Sequence, residues 1–114
     1  MPYIRTTVSK SINPGQRDIL KSKLGNAIAL IPGKSEAWLM LAFEDNMSMY
    51  FKGDNSADYA YVEVSLFGGA SDAAYDRLTA AISEIISETL GIDSSNIYIK
   101  YEEAEHWGLS LIHI

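Results

Sequence analysis

The sequence predicts an α+β fold built from a tandem β-α-β repeat, with two helices on one face of a four-stranded sheet. Three observations carry that prediction. Two segments, Pro2–Val8 and 59–66, are rich in β-branched and aromatic residues. Each is followed by apolar residues at helical spacing and then by a third, strand-like segment. The breaks Gly33-Lys34-Ser35-Glu36 and Gly91-Ile92-Asp93-Ser94 fall at the same place in each half. At 114 residues the chain is one domain, 1–114, with pseudo-repeats over about 2–51 and 58–102 and a tail over 103–114.

The elements follow in order. After the first strand, Asn13 is a good N-cap, Pro14 suits the first helical position, and Gln16 completes a capping box. Ile19, Leu20, Leu24, Ala27, Ile28 and Ile31 then recur on one helical face, and Pro32-Gly33 ends the helix. The run Ala37 to Phe43 is almost continuously apolar, which predicts a strand covered on both faces. The turn-rich stretch 51–58 joins the halves. The second strand-like segment stops at Gly68-Gly69, Ser71-Asp72 caps a helix, and Leu78, Ile82, Ile85 and Ile86 form its apolar face. Gly91 closes that helix, and Ile97 to Tyr101 alternate as a half-buried strand. Trp38, Met40 and Phe43 or their neighbours then face away from the helices, and an apolar sheet face left bare predicts association between chains. The tail Leu109–Ile114 is apolar enough to predict that it docks, adding a strand at a sheet edge of this chain or of a neighbouring subunit.

Composition excludes several functions. Hydrophobic residues make up 47% and charged residues 21%, ordinary values for a folded domain. The net charge of −6 argues against nucleic acid, whose phosphates need clustered cations. Cysteine is absent, which removes disulfides, thiolate nucleophiles and Cys-ligated zinc. No apolar run approaches the roughly 18 residues that span a bilayer, so no membrane partner is expected. The start lacks the basic and apolar regions of a secretory signal, so the cytoplasm is the expected location, with signal-independent secretion still open. No phosphate-binding glycine motif, nucleophile elbow or paired-histidine metal spacing occurs, and no metal site is expected. Glu102, Glu103 and Glu105 beside His106 read as a solvated acidic run after the last strand.

Pro2 is the unusual feature. Removal of the initiator methionine before a small residue leaves a secondary amine at the chain start. An α-amino group titrates at about 7.7–8.0 when unperturbed. Burial lowers that value, and a nearby cation such as Lys34 pushes the same way. The product is a neutral amine at neutral pH, suited to be a general base. The plainer role for Pro2 is to start an edge strand, where its missing N–H costs nothing.

The Met-Pro start on a β-α-β-β-α-β chain, with Gly33-Lys34 after the first helix and Asn96-Ile97-Tyr98-Ile99-Lys100-Tyr101 near the end, resembles the macrophage migration inhibitory factor family of the tautomerase superfamily. The resemblance covers nearly the whole chain. It implies a homotrimer in which three sheets form an inner barrel, with active sites at the subunit interfaces. It also implies that Pro2 is the catalytic base and that Lys34 holds a substrate carboxylate. Ser65-Leu66 matches the family's Ser-Ile pair, so the Leu66 N–H would bind a substrate oxygen and its side chain would wall the pocket. Tyr98 would come from the adjacent subunit.

The chain departs from the family in three places. Lys100 stands where vertebrate members have Asn, a second cation for anion binding. Tyr59-Ala60-Tyr61-Val62 replaces the cytokine members' Cys-x-x-Cys, so no thiol activity carries over. Trp107-Gly108-Leu109 only loosely matches the family's Gly-Trp segment at the pocket rim. The function the resemblance implies is tautomerisation of phenylpyruvate-like α-keto acids between keto and enol forms, with no metal or organic cofactor. Two alternatives compete with it. One is a binding or signalling protein with a vestigial pocket. The other is a ferredoxin-like small-molecule-binding module, which pattern alone does not separate from the first reading.

Overall fold

The computed structural model describes residues 1–114. Strand β1 spans Pro2–Val8, helix α1 Pro14–Ala27, strand β2 Met40–Glu44, strand β3 Ala60–Phe67, helix α2 Asp72–Leu90 and strand β4 Ile97–Ala104. The sheet order is β2-β1-β3-β4. β1 and β2 are parallel neighbours, β3 and β4 are parallel neighbours, and β1 meets β3 antiparallel at the centre. Each β-α-β unit therefore stays whole. In a ferredoxin-like split β-α-β unit another strand separates the parallel pair, so this topology excludes the ferredoxin-like alternative. No helix is long and apolar enough to cross a membrane.

The caps form where the sequence places them. The Asn13 side chain accepts the Gln16 N–H at 2.8 Å, and the Gln16 side chain accepts the Asn13 N–H at 3.0 Å. Ser71 accepts the Ala74 N–H at 3.2 Å to start α2. Gly91 ends α2 at φ 71°, a left-handed conformation that side chains resist.

Strand alternation divides the sheet into two faces. Ile4, Val8, Val62, Val64 and Leu66 point to the helices and join Leu20, Leu24, Leu78, Ile82 and Ile86 in one buried cluster. Burial of each such side chain stabilises the fold by about 1.5–3 kcal/mol. Ile19, expected on the buried face of α1, is 46% exposed. The other sheet face carries Tyr3 and Arg5 of β1, Met40 and Glu44 of β2, Tyr61, Glu63 and Ser65 of β3, and Tyr98, Lys100 and Glu102 of β4. That open face is not wholly apolar, as expected, but banded. Arg5 pairs with Glu44 and Lys100 with Glu102 across its middle, and aromatic residues lie toward the ends.

Four further expectations need correction. The run Ala37–Phe43 is not a strand covered on both faces. Residues Glu36–Trp38 form a 3₁₀ turn, and β2, which begins at Met40, is an edge strand with Met40 68% exposed. Phe43 lies on the helix side, because its register partner is the buried Thr6. Glu102 and Glu103 do not follow the last strand, which runs on to Ala104. Within this chain the tail adds no strand to the main sheet. It pairs with itself as β5 (Gly108–Leu109) and β6 (Ile112–His113).

Candidate active site

Antiparallel pairing sets Pro2 opposite Leu66. Pro2 and Leu66 form a non-hydrogen-bonded pair, in which the N–H groups that face the neighbouring strand belong to the flanking residues. Here the donor is the N–H of Phe67, which donates to the Met1 carbonyl at 3.1 Å. The backbone donor beside Pro2 is thus Phe67 and not Leu66. The Leu66 side chain is fully buried among the helices, so it packs the core instead of walling a pocket.

Lys34 reaches the same corner. Gly33, at φ 82°, turns the chain out of the first helical segment, and the Lys34 N–H closes that turn on the Ile31 carbonyl at 3.0 Å. The Lys34 ammonium donates to the Phe67 carbonyl at 2.8 Å. It also lies beside the chain's amino group. Partial burial lowers the affinity of the Met1 amine for its proton, and hydrogen bonding and charge repulsion from Lys34 lower it further. One cation, one backbone N–H and one amine with a depressed pKa therefore converge at the end of β1.

A groove of about 370 Å³ opens at this corner, walled by Pro2, Tyr3, Trp38, Met40, Trp107 and Leu109. It is apolar and aromatic. Ser65 lies on the open face opposite Tyr3. The groove can take an apolar or aromatic group whose anionic end lies toward Lys34 and the Phe67 N–H.

Tyr98 and Lys100 are not brought to this corner within the chain. Tyr98 pairs with Tyr61, whereas Leu66 pairs with Glu103, five ladder rows away. At 3.3–3.4 Å per residue that is about 17 Å. Tyr98 instead packs edge to face on Phe51, with ring centroids 5.1 Å apart, and lines a second groove with Met49, Tyr50, Tyr59 and Tyr61. Lys100 shares its face and is bound to Glu102 at 2.7 Å, and the Glu102 carboxylate makes the Lys100 ammonium hold its proton more firmly than usual. Glu103, on the opposite face, accepts the Tyr75 hydroxyl at 2.5 Å. Burial, then Glu103, pushes the Tyr75 phenol up to about 12.

Sequence reasoning missed the Phe67 backbone and Trp38 as a groove wall, whereas the resemblance set Trp107 at the pocket rim. A backbone N–H has no signature in side-chain identity. Trp38 could have been found from its position just past Lys34, had the run through it not been read as buried strand.

The family model described as macrophage migration inhibitory factor matches residues 1–112. Among solved structures, the fold superposes on Leishmania major MIF2 with a TM-score of 0.92 at 30% identity, covering 100% of this chain and 97% of that one. A macrophage migration inhibitory factor homologue from Prochlorococcus marinus gives a TM-score of 0.86 at 25% identity, covering 97% of each chain. A fused 4-OT described as a symmetric trimer shares the fold at 18% identity, with a TM-score of 0.84 over 96% of this chain and 92% of that one. No curated protein matches the sequence.

Proposed function

The chain belongs to the macrophage migration inhibitory factor family, and from that premise we propose that it is a cofactor-independent tautomerase for phenylpyruvate-like 2-oxo acids. The observation that carries this reading is the convergence of the chain start, the Lys34 ammonium and the Phe67 N–H beside an apolar groove.

Removal of Met1 does two things at once. It turns the Pro2 nitrogen from an amide into an amine, and it frees the Phe67 N–H that the Met1 carbonyl occupies. Pro2 is buried in the full chain, and Lys34 lies beside the chain start; both circumstances favour the neutral form of the freed Pro2 amine. In the mechanism, neutral Pro2 takes the proton from the enol oxygen or from the carbon next to the carbonyl. Lys34 pairs with the substrate carboxylate. The Phe67 N–H donates to the oxygen on which charge develops, and protonated Pro2 returns the proton to the conjugate position. General acid–base catalysis of this kind contributes about 10²–10⁴-fold.

We assign the second groove to the same site across a subunit boundary. A homotrimer with active sites between chains sets Tyr98, and with it Lys100, against a neighbour's Pro2, and it covers the open sheet face. The trimeric 4-OT relative and the banded composition of that face support this assembly.

The test follows the ketonisation of enol phenylpyruvate by absorbance, using protein shown by intact mass to lack Met1. Turnover that falls by at least about 10²-fold in Pro2→Gly supports the reading. A Met1-free trimer without turnover would overturn it for this substrate class.

A further inference from the structure

We propose that His106 and His113 form a binding site for a first-row divalent transition-metal ion on the C-terminal hairpin. The two residues are seven apart, a separation that matches no helical metal motif. The hairpin removes that separation. Gly108 pairs with His113 and Leu109 with Ile112, and the Ile114 N–H donates to the Trp107 carbonyl at 2.8 Å, which extends the pairing by one row. Residues two apart on a strand share a face. His106 therefore lies on the same face as His113, diagonal to it.

The side chains meet there. His106 Nδ1 and His113 Nε2 are 3.2 Å apart, with ring centroids 5.3 Å apart. Two imidazole nitrogens bound to one ion at 2.0–2.1 Å and a tetrahedral angle stand about 3.3–3.4 Å apart. The pair is already at that separation. In the metal-free chain, the N–H of one ring donates a hydrogen bond to the bare nitrogen of the other. The metal ion takes the place of that proton, which moves to the second nitrogen of the same ring, so no net proton is released from the neutral pair. Imidazole suits copper, nickel and zinc, with copper(II) bound tightest. No third His, Cys, Asp or Glu completes a larger set, so water or an anion fills the remaining positions.

The site adjoins the Pro2 groove through its own strand. Trp107, Gly108 and Leu109 wall that groove, so an ion across the hairpin staples one wall. Binding itself does not depend on the tautomerase reading.

The test uses the full-length protein with copper(II) and then zinc(II) as probes. Electron paramagnetic resonance should show one copper(II) per chain with two nitrogen ligands. His106→Ala and His113→Ala should each weaken binding at least roughly tenfold, the least that even an outer-shell loss costs a metal site. In the unaltered protein, zinc(II) should shift the imidazole resonances of His106 Nδ1 and His113 Nε2, a readout that needs no variant to fold. Absence of binding, or binding unchanged in both variants as for an ion on the amino terminus, would overturn the proposal.

Discussion

At one end of the sheet the chain start faces the Phe67 N–H, with Lys34 at hand. At the other end, five rows along β4, Tyr98 packs on Phe51 over an aromatic groove. The first end holds a cation, a backbone donor and an amine whose proton is loosened. At the second, the cation is bound to a carboxylate, and Glu102 makes Lys100 a weaker acid. The contrast separates reactivity from recognition. On the proposed reading, the Pro2 end moves the proton and the Tyr98 end supplies aromatic surface. A rigid sheet keeps the ends about 17 Å apart, so the proposed site needs two chains to bring them to one substrate.

The largest effect that would sharpen this contrast is expected at Lys34. Lys34→Ala removes a charged hydrogen-bond donor and should lower kcat/KM about ten- to a hundredfold. It also removes a cation that disfavours the protonated amine. The pKa of the Pro2 amine should therefore rise toward the usual α-amino range, and the basic-side gain in the pH–rate profile should move to higher pH. A profile that stays in place while the rate falls would leave Lys34 a carboxylate ligand only.

A smaller effect is expected at Tyr98. Tyr98→Ala loses aromatic contact worth about 0.5–1.5 kcal/mol, so KM for phenylpyruvate should rise about two- to tenfold with kcat nearly unchanged. An equal fall in kcat would erase the division between the two ends. The smallest effect is expected at Lys100. Its ion pair with Glu102 is exposed, and exposed pairs contribute about 0–1 kcal/mol. Lys100→Ala should leave urea stability within that range and the pH–rate profile where it is. A shifted profile would show that the Lys100 charge acts on a neighbour's Pro2 despite its pairing with Glu102.

The legible parts of the fold are those that local chemistry decides. Asn13 with Gln16, Ser71 and Gly91 mark helix ends because their side chains or φ values satisfy terminal groups. The alternation of β1 and β3 reports which residues face the helices. What the sequence obscured depends on neighbours. Ala37–Phe43 is apolar enough for a central strand, yet its place at the sheet edge is decided by strand order, which no local pattern encodes. Glu103 sits at the end of a strand because the Tyr75 hydroxyl and the Ala70 N–H satisfy its carboxylate there. At the site, Pro2 and Lys34 were legible as residue types, and the resemblance gave them roles. The resemblance pointed to the Leu66 N–H, whereas the N–H that faces β1 in this chain is that of Phe67, because antiparallel register and not residue identity decides it. The pairing of His106 with His113 was hidden by a hairpin that the sequence pattern read as a docking strand.

The most direct measurement compares two preparations of this chain, one with Met1 removed and one that retains it, each verified by intact mass, in the ketonisation of phenylpyruvate. Where Met1 remains, Pro2 is an amide and the Phe67 N–H is occupied. Turnover should appear only in the Met1-free protein and should follow the fraction processed in mixtures of the two. Equal rates from both preparations would contradict Pro2 as the base and would move the chemistry to another part of the molecule.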